Sequence, residues 1–580
     1  MRPVYSMTAC VVIFIVLFQF RISHSGIIPG NPPLKITVWD AFGYYMYLPA
    51  VFIYKDCKEL TWLPAIDKKY AVTGGSSWQA QKSDNGNYVF EYLGGVAILE
   101  VPFFFIGHCI AHIAGYPADG FSPPYQYSLG FGVLLYCAFA ILLMRKILLT
   151  WFNDITTAIT LIMVCLATNF IQYAAVDNEQ SHAWIFPLYV IILYATEKWH
   201  QRPSFIWASI IGYVIGLATM SRPTEAIMLF IPLLWSTHTK EAAKAKWLMV
   251  KHNRRHLFFV AVFGFIGVLP QLIYWKIVTG SFIYDVGSKW EFLNPHFRVL
   301  FGWEKGWFIY TPVTLLFIAG MFFIKQFPFR KSVTLFCLLN IYIIIAWHDW
   351  RYGGSYSTRA LVQSYHVFAL PFATLTEKLA KSKWRLIFYI LCLYLLFVNI
   401  FQTTQYCSTV LHFNDMNRKY YGRIYLNPNP SPLDMSMLDN DEMISNEYRY
   451  QKTTLVHSDT EVHISFAANT TALTQQIDIP VSKGKEAWLK VESDIYAPGN
   501  LWQTYLNADI LEGDSVKHTR VRLFNAISKD DKTNKYSFYI HIPQKDAHAL
   551  LKLYLSSSFP FNGVVKQIIV TKLESRFQQP

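Results

Sequence analysis

KEAAKAKWLMVKHNRRH, residues 240–256, carries six basic side chains and one acid, and it lies between apolar runs at about 225–236 and 256–278. Such a block is either a nucleic-acid patch or a loop held on the cytoplasmic side of a membrane. The rest of the chain decides. Of its 580 residues 53% are hydrophobic and 15% charged, more apolar surface than a water-soluble core can hide. Apolar stretches able to span a bilayer recur at about 7–20, 128–144, 155–173, 183–197, 205–220, 225–236, 256–278, 308–324, 333–347, 360–376 and 385–402. Basic residues mark every second connection: Arg145 and Lys146, Lys198 and Arg202, the 240–256 block, Lys325 in KQFPFRK, and Lys381 in EKLAKSKWR. The net charge of +13 therefore reports membrane orientation, with these loops inside, and nucleic acid is not expected as a partner.

The fold expected is a polytopic α-helical membrane protein of about eleven spans, with a C-terminal antiparallel β-sandwich. The first run reads as a retained signal anchor, because no small-residue cleavage site follows FQFRISHSG. One further apolar stretch, 89–114, would reverse the side of Arg145 and Lys146 if it crossed. It is read as an interfacial or re-entrant helix, which leaves residues 21–88 as a loop on the outer side. The membrane region ends near 402 and a linker runs over 403–450. Residues 451–580 then alternate in EVHISFAA, AWLKVES, YSFYIHI and LLKLYLS, with turns between, as the strands of a sandwich do. An odd number of spans from an inside N-terminus puts that domain outside the cytoplasmic membrane.

With sides assigned, the unusual polar clusters all fall outside: Asp40; VDNEQSH with Asp177, Glu179 and His182; MSRPTE with Arg222 and Glu225; FGWEKGWFIYTP with Glu304 and Lys305; and WHDWRYGGSYSTRA with Asp349, Arg351 and Arg359. Charges near span ends are costly unless hydrated or paired, so several on one face imply a water-filled cavity. Guanidiniums there suit a phosphate, and a carboxylate suits the deprotonation of a hydroxyl. A phosphate at that depth points to a lipid-linked one.

VWDAFGYYMYLPA (38–50), an acid in an aromatic stretch directly after the first span, resembles the opening of the GT-C superfamily of membrane glycosyltransferases. GLATMSRPTEAIMLFIP, LFGWEKGWFIYTPV and WHDWRYGGSYSTRALVQSYHVFALP resemble three further segments of that superfamily, in the same order; the likeness covers roughly residues 1–400. Relatives include protein O-mannosyltransferases and aminoarabinose or galacturonic acid transferases. The resemblance implies transfer of a sugar from a polyprenyl-phosphate donor to a glycan, lipid or protein acceptor on the outer face, inverting the anomeric centre. It implies Asp40 as general base and Arg222 and Arg359 at the leaving phosphate, with Lys305 and Arg351 behind them. Tyr44, Asp177, Glu179, His182 and Asp349 would line the pocket. Where the superfamily often has a second acid beside the first, this chain has Ala41. No cofactor or metal site is therefore expected, although a divalent cation shared by Asp40 and a distant acid such as Asp177 is compatible with the residues.

Plainer readings compete. Asp40 could cap the helix that follows it. Arg222 with Pro223 could mark a turn with the guanidinium among lipid headgroups. Arg359 could bridge to Asp349. His108 and His112 have the i, i+4 spacing of a metal pair without a third ligand, and packing is the simpler account. Cys57 and Cys407 fall on one side, which leaves a disulfide open. The alternative class is a lipid or glycolipid transporter, against which stand the absence of a sequence repeat and the gathering of charges at one face.

Overall fold

A computed structural model describes residues 3–25, 27, 34–177, 180–480, 485–498, 501–524, 534–543 and 548–576. The chain divides into two compact units, Met1–Thr403 and Thr404–Pro580.

The first unit is helical. Among the described residues, five helices are long and apolar enough to cross a membrane: Val4–Ser23, Gly95–Ala114, Pro123–Trp151, Arg255–Thr279 and Arg385–Cys407, the last running just past the unit boundary. Other expected spans form shorter or broken elements. The 225–236 run becomes a 3-10 turn, Pro223–Leu229, followed by Phe230–Leu234. The 308–324 run breaks at Pro312 into Trp307–Tyr310 and Val313–Gly320. Proline supplies no N–H for the helical ladder and forces its predecessor out of the helical region, so apolarity continues where the helix does not.

Within residues 89–114, Gly95–Ala114 forms one helix of 20 residues with Pro102 inside it. Its effect on topology follows from its flanks. At one end of the Val4–Ser23 helix the Arg145 guanidinium donates to Ser6 Oγ and the Pro3 carbonyl, both at 2.8 Å. At the other end Tyr127 Oη donates to the Ser25 carbonyl at 2.7 Å. The Pro123–Trp151 helix therefore runs back alongside the first, and the segment between them leaves and returns at the same end. Asp154 closes the opposite end, its carboxylate accepting from the backbone N–H groups of Tyr5 and Ser6 at 2.8 and 2.9 Å, donors that an uncapped helix start leaves unsatisfied.

Two further helices meet through glycine. A Cβ on Gly212 or Gly216 would lie 2.2 Å from the carbonyl oxygens of Val260 or Gly264, so Phe205–Ser221 and Arg255–Thr279 pack backbone to backbone, as small-residue interfaces allow in lipid. Gly95 seats the start of its helix on Ser221 in the same way, with a Cβ only 2.4 Å from the Ser221 nitrogen.

The second unit is a sandwich of two antiparallel sheets. One orders Thr470–Pro480, His548–Ser557, Thr504–Glu512 and Ser515–Arg522; the other orders Tyr450–Ser458, Phe561–Ser575, Ala487–Tyr496 and Asn534–His541, with Val462–Phe466 also on Phe561–Ser575. Leu551, Leu553 and Ile510 from the first sheet and Leu489, Val491 and Phe538 from the second share one buried core. Strict alternation puts them there: AWLKVESDIY buries every second residue. Residues 404–449 belong to this unit, and short helices, one opened by a Ser431–Asp434 capping box, carry them to the first strand.

Candidate active site

The backbone aims Asp40. Trp39 takes φ +55°, a conformation unusual for a bulky residue. It is held by Trp39 N–H to the Val72 carbonyl at 3.0 Å, by Gln79 Nε2 to the Trp39 carbonyl at 3.3 Å, and by Gly74, where a Cβ would lie 2.6 Å from the Trp39 ring. Strain that the surroundings hold in place is a common property of functional positions. Asp40 then opens the short helix Asp40–Tyr45 without capping it, because no side chain accepts from that helix start.

The carboxylate instead meets Arg359, 319 residues away in sequence, with Nη2 to Oδ2 at 2.6 Å. Nη1 of the same guanidinium donates to Gln180 Oε1 at 3.1 Å. The bridge from Arg359 to Asp349 that the sequence allowed is thus replaced by one to Asp40. Tyr92 lies beside Asp40 in the cavity lining, its ring 4.3 Å from that of buried Tyr44 and tilted by 38° to it. Burial first, then the Asp40 charge, pushes the Tyr92 phenol far above its usual range, so it stays protonated near the carboxylate.

Arg222 sits opposite because of Pro223. The residue before proline is driven to extended backbone, and Arg222, at φ −154°, ψ 122°, ends the Phe205–Ser221 helix there. Its Nη1 lies 3.2 Å from His182 Nδ1. Behind them runs a buried chain: His182 Nδ1 to Gln363 Oε1 at 2.9 Å, Gln363 Nε2 to Glu225 Oε1 at 3.0 Å, and Tyr189 Oη to Glu225 Oε2. Because Gln363 gives its NH2 to Glu225, its oxygen faces His182. Nδ1 of His182 is then the nitrogen that donates to Gln363 Oε1.

These groups line a cavity of about 730 Å³ in the helical unit. Of the residues expected from sequence, Asp40, Tyr44, His182, Arg222, Asp349 and Arg359 line it together. Trp78, Trp275, Trp290 and Trp347 supply aromatic wall. The other expected residues lie elsewhere. Asp177 is outside the lining and accepts from Gln172 Nε2 at 2.9 Å. Buried Lys305 donates to the carbonyls of Arg351, at 2.9 Å, and Gly353, bracing a turn in which Tyr352 and Gly353 both have positive φ. Arg351 stacks on Trp350 and pairs with Glu304 at 3.5 Å. Glu179 lies outside the described residues.

Gln180, Gln363 and Tyr92 were not found from sequence. Amides and a tyrosine in an aromatic-rich chain carry no spacing signal, although Gln180 adjoins the polar VDNEQSH cluster. His108 and His112 bond to each other, Nε2 to Nε2 at 3.2 Å, and His108 Nδ1 to Tyr125 Oη at 2.5 Å. No group of three or more His, Cys, Asp or Glu able to hold a metal occurs among the described residues.

The apolar helices and the sheets define an integral membrane protein with a polar cavity in its helical unit and a β-sandwich unit in the same chain. No family model matches the chain, and neither does any curated protein. Among solved structures it is similar to the archaeal oligosaccharyltransferase AglB from Archaeoglobus fulgidus in complex with an inhibitory peptide and a dolichol-phosphate, at TM-score 0.42 and 12% identity. That likeness covers 72% of this chain but 57% of the archaeal one, so the chain spans little more than half its length. It is also similar to ArnT from Cupriavidus metallidurans in the apo state, at TM-score 0.42 and 13% identity, over 72% of this chain and 68% of that one.

Proposed function

We propose that the protein is a membrane glycosyltransferase that moves a sugar from a polyprenyl-phosphate donor to an acceptor hydroxyl at the extracytoplasmic face of the cytoplasmic membrane. The observation that carries this reading is the Asp40–Arg359 pair at 2.6 Å in a cavity that Arg222 also lines. Such a cavity offers a proton acceptor and two fixed cations at once. The alternation of basic loops supports an N-terminus inside and residues 404–580 outside.

In the step proposed, the donor phosphate takes hydrogen bonds from Arg222 and Arg359, and Arg359 is drawn from Asp40 as it does so. Asp40 accepts the acceptor's O–H proton while that oxygen bonds to the anomeric carbon from the face opposite the phosphate. The bond from that carbon to the phosphate oxygen breaks, its electron pair leaves with the phosphate, and the configuration inverts. Guanidiniums stabilise the charge on the leaving group, so the reaction is proposed to need no metal ion. His182, with Nδ1 protonated, presents a neutral ring to the sugar, and Tyr44, Asp349 and the tryptophans bound the pocket. Lys305 acts at one remove, by holding the 351–353 turn.

Purified protein given a panel of polyprenyl-phosphate sugars and acceptors should show transfer. Asp40→Asn should lower kcat by about 10²–10⁴, the usual contribution of a general base. Full activity in that variant would remove Asp40 from the reaction, and sugar release that does not depend on the protein would sink the transferase reading.

A further inference from the structure

The segment between Arg255–Thr279 and the 298–301 turn has two unlike faces. Tyr284, Val286, Ser288 and Trp290 line the cavity. Phe282, Ile283, Phe292, Leu293 and Phe297 are exposed, Ile283 to 78% and Leu293 fully, which is uncommon for large aliphatic side chains gathered in one short stretch.

Backbone bonds fix the height of this segment. Glu291 N–H donates to the Ala346 carbonyl at 2.6 Å, His296 N–H to Ile345 at 2.7 Å, and Trp290 bridges Trp347. Tyr342 Oη donates to the Phe292 carbonyl at 2.6 Å, and the two rings lie 5.8 Å apart. Tyr342 stands three residues before the end of the Arg330–Ile345 helix, about 4.5 Å back along its axis. The tip of the segment thus dips below the end of a helix read as a span. There it continues an already exposed apolar side, Leu338 and Tyr342 on that helix and Ile273 and Ile277 on Arg255–Thr279. In a membrane protein, exposed apolar side chains on spanning helices face acyl chains.

We infer that residues 281–297 form a lipid-inserted rim: Ile283, Phe292, Leu293 and Phe297 sit among the acyl chains of the bilayer while the other face walls the cavity. The occupant is bulk lipid and not one isoprenoid tail, because Leu293 is fully exposed and Ile283 78% exposed, and among the described residues no protein wall of a binding groove surrounds either. The polar residues of the stretch fit the same placement. Asp285 lines the cavity and turns its carboxylate back to Gly287 N–H at 2.8 Å, and Glu291 pairs with His296 at 3.1 Å, which limits the cost of bringing both near lipid.

The test is depth measurement on the whole protein in nanodiscs without any donor lipid. Leu293→Cys and Ile283→Cys, each in a background with Cys57, Cys109 and Cys407 changed to serine, are labelled with an environment-sensitive NBD fluorophore. Val462→Cys, on an exposed strand residue of the sandwich, reports water. Labels at 293 and 283 should emit to the blue of the 462 label, be quenched by nitroxides on lipid acyl chains and escape iodide. Emission and iodide quenching equal to those at 462 would overturn the inference. So would protection from both quenchers, which means protein covers the segment, or a blue shift that appears only when polyprenyl phosphate is added, which means the tail is the occupant.

Discussion

Two arginines in this chain are equally buried and differently held. Arg359, in the helical unit, is 13% exposed and makes one ion pair, to Asp40, and one bond to a neutral amide, Gln180. Arg522, in the sandwich, is 15% exposed and is saturated: Nε and Nη2 on Asp439 at 2.9 and 2.6 Å, and Nη1 on Asp415 at 2.8 Å and on His412 Nε2 at 3.0 Å. The first guanidinium faces a 730 Å³ cavity, while Asp439 and Arg522 adjoin a space of only about 40 Å³. A cation closed off by two carboxylates holds a fold together. A cation with one carboxylate partner, at the edge of a chamber, can exchange that partner for a substrate phosphate.

Exchanging the two truncations would break this comparison. Arg359→Ala should reduce transfer by about 10²–10³, the range for loss of a preorganised charge-stabilising donor, and leave the thermal midpoint of the sandwich unchanged. Arg522→Ala leaves Asp439 and Asp415 facing each other without their cation and should cost about 3–5 kcal/mol of stability. Turnover per folded molecule and thermal unfolding in the same detergent separate the two. If Arg359→Ala unfolds the protein and keeps its turnover, the assignment is reversed.

A smaller effect sharpens the comparison within the cavity. Arg222→Lys keeps the charge beside His182 but loses the planar fork, and should raise KM for the lipid-linked donor about 10-fold with a lesser change in kcat. Glu225→Gln should act more weakly still. It keeps a side chain between Tyr189 and Gln363 but lets the amide of Gln363 turn, freeing the His182 proton to move between ring nitrogens. A few-fold fall in kcat with an unchanged pH profile is the signature expected, because a change of tautomer moves no net proton on or off the ring. A uniform loss of folded protein would point to packing alone.

The same contrast shows what could be read in advance. The sandwich was legible because alternation in AWLKVESDIY and LLKLYLSS is a local pattern whose consequence, burial of every second residue, is also local. Arg222 stood out through its MSRPTE segment, and Pro223 accounts for where its helix ends. Asp40 stood out by position, one acid among aromatics. Its partner did not: Arg359 was chosen as a phosphate ligand, but nothing in the chain states that it closes on a residue 319 positions earlier. Lys305 shows the limit of residue type. A lysine beside a glycine suits a phosphate, yet here two carbonyls of a left-handed turn needed a buried donor, and the ammonium bonds them. Span ends blurred for a related reason, since hydropathy passes through Pro223 and Pro312 while helical hydrogen bonding does not.

The smallest expected effect lies on the sandwich side, at Glu447. Burial alone would raise its carboxyl pKa. Hydrogen bonds from Lys452 Nζ and Tyr539 Oη, with the Lys490 charge 3.4 Å away, outweigh that and hold it at about 2. An unfolded glutamate titrates near 4.3, so the folded state gains stability from this group above that pH and loses it as the pH falls from about 4 toward 2. Part of the shift is screened by solvent, which leaves about 1 kcal/mol. Glu447→Gln, which carries no charge at any of these pH values, should start lower at pH 6 and lose less on acidification, the two midpoints converging near pH 2.5. Parallel curves would mean that Glu447 titrates alike in both states. Saturated carboxylates in the sandwich would then have to be defended by Asp439 alone, and the contrast with the exchangeable pair at Asp40 would rest on geometry without a stability counterpart.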